Sequence, residues 1–180
     1  HVPAHTPTAT GAALPGWDAL RIGRHPDRPT AARIALKLLT NVQQVHGDRM
    51  GHDDPALIGG IGRFEGLTVA FLAHNRRPDG ETDVLLTAAA YRKAARIMQL
   101  AGRLELPLIA FVDTGGAATG LQAELSGVSS ALAQNLQLMG HLPAPVITVI
   151  TGEAGGAGAL ANALGDRILD ARRFGARHLD

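Results

Sequence analysis

The stretch Pro107-Leu-Ile-Ala-Phe-Val-Asp113-Thr-Gly-Gly-Ala-Ala-Thr-Gly120 decides how the rest of the chain reads. An apolar run rich in branched and aromatic residues stops at Asp113. A loop with Gly115, Gly116 and Gly120 and almost no bulk follows. Such a run is the pattern of a strand buried on both faces. Glycine at its tip lets another molecule approach the main chain closely. The layout recurs, because Val146-Ile-Thr-Val-Ile150 is followed by Thr151-Gly-Glu-Ala-Gly-Gly-Ala-Gly158.

Outward from these two tips, the chain alternates. Thr30 is the expected N-cap of a first helix whose stripe is Ile34, Leu38, Val42 and Val45, ending near Gly47. Ile58–Phe64 and Leu67–Ala73 read as two strands joined by a tight Glu65-Gly66 turn. His74–Asp83 is a charged loop, expected to be mobile, and Leu86–Leu104 is a long helix of good helix formers. In that helix Ala95, Met98 and Ala101 can face a sheet, while Arg92, Lys93 and Arg96 carry positive charge. Val128, Leu132, Leu136 and Met139 mark a third helix. Ala157–Leu164 reads as a short helix and Asp166–Leu169 as the start of a last strand. This order predicts an α/β domain with mostly parallel pairing. In such sheets ligands bind outside the carboxyl ends of strands, where both glycine-rich loops lie.

The expected boundaries are a flexible N-terminal tail over 1–19, a domain over 20–170 and a basic C-terminal tail over 171–180. Arg21–Pro29 reads as a basic extended segment, in bland terms a solvated lead-in to the first helix. A chain of 180 residues suffices for one ordinary domain. A net charge of +1 gives no support for a nucleic-acid partner, and 3% aromatic residues argue against base-stacking platforms. The absence of cysteine excludes disulfides, thiolate catalysis and Cys-type zinc sites, and suits a reducing compartment. No apolar run approaches the roughly 18 residues of a membrane span. With no basic-then-apolar signal sequence at its start, the chain is expected in the cytoplasm, with no membrane partner.

Several motifs are weighed and set aside. Asp113-Thr-Gly115 matches an aspartic protease half-site, but those enzymes need two copies in an all-β frame. Gly156-Ala-Gly-Ala-Leu-Ala161 satisfies G-x-G-x-x-A, yet Gly152–Gly155 intervene after the strand and no acidic residue follows at the required distance. There is no P-loop and no G-x-S-x-G elbow, and the histidines lack zinc-ligand spacing. Asp48, His52, Asp53 and Asp54 cluster without a second ligand group, which reads as a solvated turn rather than a metal site. Two glycine-rich tips remain. Their backbone N–H groups either hold a developing oxyanion or merely permit tight turns and close packing.

From Arg24 to Arg167 the chain resembles the α subunit of the bacterial acetyl-CoA carboxylase carboxyltransferase family, within the crotonase-like superfamily. The resemblance rests on Arg24–Pro29, Gly47-Asp-Arg49 with Asp53-Asp54, Ala56–Gly66, Tyr91–Met98, Pro107–Gly120, Gly152-Glu153 with Gly155, and Gly158–Ala161 leading to Gly165-Asp166. It implies a crotonase-like α/β fold of repeated ββα units. It also implies carboxyl transfer from carboxybiotin, borne on a biotin carboxyl carrier protein, to acetyl-CoA or a related coenzyme A thioester. In the family the acyl enolate takes up CO2, both oxyanions are held by backbone N–H groups, and malonyl-CoA-type products serve fatty acid biosynthesis. The α subunit supplies mainly the biotin side, and a β subunit with a zinc ribbon supplies most of the acyl-CoA side, in a hetero-oligomer.

Carried over by position, Gly116 and Ala117 form the biotin-side oxyanion hole, with Gly115 beside them. Gly155, Gly156 and Gly158 shape the opposite wall. Arg92 and Lys93 become candidates for phosphate or carrier contacts, with solvated helix charge as the alternative, and no metal is expected in this chain. The chain departs from the family where Gly115 and Thr119 replace prolines, which leaves the loop less preset. Ala154 and Ala157 stand in the second loop, where any requirement for positive φ would strain them. After the last strand the sequence differs from the family's, so the C-terminal part is expected to be truncated or divergent. Two alternatives stay open: a non-catalytic homologue with an assembly or regulatory role, and a biotin-independent crotonase-like enzyme such as a decarboxylase.

Overall fold

The computed structural model describes residues 16–77 and 83–170, so the expectations for 1–15, 78–82 and 171–180 lie outside the described residues. A helix, α1 (Gly16–Gly23), begins inside the stretch read as a tail. Thr30 caps α2 (Ala31–Leu38), its Oγ1 accepting the Arg33 N–H at 3.3 Å. The remaining elements are β1 (Thr40–Gln44), β2 (Leu57–Phe64), β3 (Leu67–His74), α3 (Ala88–Arg103), β4 (Leu108–Thr114), α4 (Leu121–Leu125), α5 (Val128–Gly140), β5 (Val146–Ala154), α6 (Gly156–Leu160) and β6 (Arg167–Asp170). They form one sheet in the order β1-β2-β3-β4-β5-β6. β1, β2 and β3 pair antiparallel, and β3 to β6 pair in parallel.

The first helix is shorter than its apolar spacing predicts. It stops at Leu38, and Leu39 turns extended, its N–H donating to Ala35 O at 2.9 Å. Val42 and Val45 are still packed inward, but from an edge strand and the residue that follows it rather than from a helix. Glycines on β2 make that possible. A Cβ at Gly60 would lie 2.0 Å from Gln43 O, and one at Gly62 would touch Leu39 and Val42 at 3.4 Å. β1 therefore lies close against a backbone without side chains, and sheet pairing overrides the local period. The β2–β3 hairpin is as expected, with Glu65 at φ 47° and Gly66 at φ 85°, the two positive values of a type I′ turn.

Alternation along β3 divides the core. Ala70 and Leu72 face the layer of α3 and α5, whereas Val69, Phe71 and Ala73 face α2. α3 packs through Ala88, Ala90, Ala94 and Ala101 around Tyr91, Ile97 and Met98. Small alanines bring that helix close to the sheet, and each fully buried Leu or Ile contributes about 1.5–3 kcal/mol. α5 is rotated relative to its predicted stripe. Val128, Ala131, Asn135 and Met139 are buried, with Leu132 and Leu136 at the edge of the core.

Candidate active site

The carboxyl ends of β4 and β5 lie side by side, and their tips interlock. Pairing is regular up to Val112 with Ile150, and the next pair is Thr114 with Ala154. β5 therefore bulges where β4 continues, a device common beside binding sites. The Asp113 carboxylate fills the bulge, its Oδ1 accepting the Glu153 N–H at 3.1 Å. A Cβ at Gly152 would stand 2.1 Å from that oxygen, so only glycine fits there.

Beyond the bulge the loops meet main chain to main chain. The Gly155 N–H donates to Thr114 O at 3.0 Å. A Cβ on Gly155 would lie 2.6 Å from Gly115 O, and one on Gly158 would lie 2.3 Å from Ala117 N. On its other side the first loop bridges Leu86, with Leu86 N donating to Gly116 O at 3.1 Å and Ala118 N to Leu86 O at 2.8 Å. Successive groups in extended backbone point opposite ways. The Ala117 N–H therefore faces away from Leu86, toward α6, and among the described residues no acceptor meets it.

Gly115, Gly116, Ala117, Gly155 and Gly158 are thus brought together. Gly156 stands exposed at the rim, in the left-handed region at φ 59°. The Gly116 amide differs from its expected role. Gly116 is buried at φ 132°, which turns its N–H inward onto Thr114 Oγ1 at 3.1 Å. Ala154 and Ala157 are unstrained, since the non-glycine residues at positive φ among the described residues are Asn41, Arg49, Glu65 and Glu105.

Arg92 and Lys93 are engaged inside the protein instead of facing the tips. Arg92 donates to Asp48 Oδ2 at 2.9 and 2.7 Å, and to Ser126 O at 3.0 Å. Lys93, only 3% exposed, pairs with Asp53 and donates to Asp54 O at 2.7 Å. Asp48 also accepts the Met50 and His52 N–H groups at 2.7 and 3.0 Å. Burial opposes its ionisation, but these N–H groups and Arg92 outweigh it and hold the carboxyl at about 2. Asp54 accepts the Thr87 N–H at 2.9 Å and so anchors the start of α3. The acidic loop is therefore a brace for that helix.

Behind the tips lies an ionic cluster that sequence reasoning missed. Arg76, 6% exposed, donates to Asp113 Oδ1 at 3.2 Å and to Glu153 Oε2 at 2.9 Å. Arg24 grips Glu153 with both branches of its fork, at 2.8 and 2.7 Å. Arg28 donates to Thr151 O from Nε at 3.0 Å. Burial raises the Asp113 pKa against the opposing pull of Arg76 and the Glu153 N–H. The hydrogen bond from Arg24 is the main cause that lowers that of Glu153. Arg24 and Arg28 belong to the segment read as a solvated lead-in, although the neighbouring prolines and the place of Arg24–Pro29 and Glu153 among the motifs of the resemblance were signs of a fixed role.

His74, at the end of β3, is 1% exposed, and burial depresses its pKa to about 3. The neutral ring accepts the Asp113 N–H on Nδ1 at 3.2 Å, so its proton sits on Nε2. Asn162 Nδ2 lies 3.2 Å from Nε2, so a proton on Nε2 requires the Asn162 amide to turn end for end and present Oδ1 there. This chain ties β3, β4 and the segment after α6 together beneath the loops.

The arrangement has relatives. The family model described as acetyl co-enzyme A carboxylase carboxyltransferase-like matches residues 5–172. The acetyl-coenzyme A carboxylase carboxyl transferase subunit alpha of Thioalkalivibrio sulfidiphilus is 40% identical over 161 residues, covering 87% of this chain and 50% of the relative. A Parafrankia protein named for subunits beta/alpha of the same enzyme is 42% identical over 161 residues, covering 85% of this chain and 26% of the relative. The chain spans about half the length of the curated α-subunit relatives it matches. Among solved structures, transcarboxylase 12S aligns with a TM-score of 0.67 at 22% identity, over 86% of this chain and 30% of the other. The β subunit of geranyl-CoA carboxylase from P. aeruginosa aligns with a TM-score of 0.63 at 21% identity, over 77% and 25%. The fold is thus the expected crotonase-like one of these carboxylases. With the family model matching nearly the whole chain, and relatives at 40% identity, the chain belongs to the acetyl co-enzyme A carboxylase carboxyltransferase-like family, on its α-subunit side.

Proposed function

We propose that the chain is an α-type carboxyltransferase component of an acyl-CoA carboxylase. It moves a carboxyl group from carboxybiotin on a carrier protein to acetyl-CoA or a related acyl-CoA, in a cytoplasmic complex with a β-type subunit. In a chain of this family, the observation that carries the reading is the unpaired Ala117 N–H where two glycine tips meet. A fixed donor of this kind stabilises an oxygen that gains negative charge during reaction. Gly115 and Gly156 leave the rim bare, which fits a flat ring lying against main chain. Carboxybiotin supplies an activated carboxyl group and a ureido oxygen that accumulates charge when the group leaves. The Asp113, Glu153 and Arg76 cluster holds the two tips at constant spacing, so the donor is positioned before any ligand arrives. The β-type partner supplies the acyl-CoA side; the Parafrankia relative, named for subunits beta/alpha, supports the pairing of the two types.

The inward Gly116 amide favours one second reading, a non-catalytic homologue that keeps the fold for assembly. Co-purification with a β-type subunit, followed by assay of malonyl-CoA formation from acetyl-CoA and carboxylated carrier, separates the two. Turnover that requires both subunits supports the first reading. A stable complex without turnover supports the second. Avidin-insensitive decarboxylation of malonyl-CoA by the chain alone overturns both.

A further inference from the structure

We propose that the trough between the carboxyl-terminal halves of α3 and α5 is a separate ligand site. It takes an amphiphilic anion, a phosphate or carboxylate headgroup on an aliphatic body. The trough lies at the opposite end of the sheet from the glycine tips, because Gly102 and Pro143 on its wall precede the entry ends of β4 and β5. Its volume is about 720 Å³, within the roughly 300–1,000 Å³ of small-molecule sites.

Arg49, Arg96 and Arg103 line the trough, and no Asp or Glu does. In a chain of net charge +1 this is a local excess of positive charge. Arg49 and Arg103 have no hydrogen bond or ion pair among the described residues. A cation in the last turn of α3 also meets that helix's terminal carbonyls, which accounts for Arg103. It does not account for Arg49, which comes from the loop before β2. Arg49 stands at φ 65°, between Gly47 at φ 69° and Gly51 at φ 90°, a backbone that is costly for any residue with a Cβ. The loop is nonetheless fixed. Asp48 binds the Met50 and His52 N–H groups and Arg92, and Arg96 donates to His46 O at 2.7 Å and to Gly47 O. An unpaired guanidinium is thus held at the trough by a braced loop, and its fork matches phosphate or carboxylate oxygens. Val45, Met98, Leu138 and Leu142 supply the apolar wall. No Phe, Tyr or Trp is present to stack a base, so an aliphatic body fits better than a nucleotide.

The test is calorimetric titration of the whole chain with decyl phosphate and with decanoate, each below its micelle-forming concentration, and with inorganic phosphate. Saturable binding of one amphiphile per chain is expected, with a Kd at least about tenfold below that of inorganic phosphate. About two buried methylene groups suffice for that factor. Arg49→Gln combined with Arg103→Gln should raise the Kd at least about tenfold. Tm should stay nearly unchanged, because neither side chain has a partner to lose. Tighter binding of decyl phosphate assigns the headgroup as a phosphate ester, and tighter binding of decanoate assigns it as a carboxylate. Absence of saturable binding, or amphiphiles that bind no tighter than inorganic phosphate, overturns the proposal. An unchanged Kd in the double variant overturns it too. Should that variant melt early, Arg49→Gln alone, altered only on an exposed loop, is judged by whether the Kd rises or stays.

Discussion

The Asp113 carboxylate accepts the main-chain N–H of Glu153 at 3.1 Å, across the bulge that ends the regular pairing of β4 and β5. Each residue stands just before a glycine-rich loop. Arg76 then binds both side chains, and Arg24 binds Glu153 from the other side. The spacing of the two loops is consequently set by charge behind them, since the loops have almost no side chains to pack.

Replacing Arg76 tests that statement. Arg76→Met leaves Asp113, 2% exposed, without its counter-ion. Breaking a buried pair from one side costs about 3–5 kcal/mol, whereas neutralising both sides costs far less. Urea denaturation is expected to show this loss for Arg76→Met and a partial recovery on adding Asp113→Asn. A double variant no more stable than Arg76→Met would mean that the carboxylate is not the group left stranded.

The glycines are expected to differ among themselves. Gly152→Ala and Gly155→Ala place a methyl group 2.1 Å from Asp113 Oδ1 and 2.6 Å from Gly115 O. Overpacking of this kind costs about 1–3 kcal/mol, and the displaced tips should reduce carboxyl transfer at least tenfold, roughly one factor of ten per 1.4 kcal/mol. At Gly156, exposed with nothing within 4 Å, alanine meets only the left-handed backbone penalty of about 1–2 kcal/mol. Thermal melts and steady-state rates of the three variants check the ranking.

His74 gives the stability a specific pH dependence. Its folded pKa is lowered to about 3 from 6.5, so between these values the unfolded chain binds the proton that the folded one refuses. The contribution is fully present above pH 6.5 and is lost as pH falls toward about 3. The limiting slope is about 1.4 kcal/mol per pH unit. His74→Gln should remove that component, so the unfolding free energies of the two proteins plotted from pH 7 to 4 should converge. Parallel curves would show that the ring already titrates in the folded protein.

Arg92 should behave as a brace. Asp48 keeps its charge down to about pH 2, against 3.8 when unfolded, so its stabilisation holds above pH 3.8 and is lost as pH falls through about 2. Arg92→Gln weakens hydrogen bonds to a charged group worth about 1.5–3 kcal/mol. The expected outcome is a lower Tm with KM for the acyl-CoA unchanged. A raised KM at constant Tm would return Arg92 to the ligand-binding role that its charge first suggested.

The sequence by itself determined the order of strands and helices from β2 to β6 apart from the short α4, the α2 cap at Thr30, the Glu65-Gly66 turn and the pairing of two glycine-rich tips. These features are written in local spacing and in the few residues that tolerate a given backbone, and neighbours alone enforce them. Tertiary structure decided what spacing left open. Val42 and Val45 kept their inward faces but left the helix for β1 and the residue after it, because glycines on β2 admitted β1 closely. Asn135 turned inward and the predicted Leu132 and Leu136 face turned partly outward. The Gly116 amide turned toward Thr114, leaving Ala117 as the free donor. Arg24 and Glu153 meet although 129 residues separate them, and nothing periodic announces such a pair. A charge in the sequence shows only that a partner or water must be found; the folded backbone alone determines which.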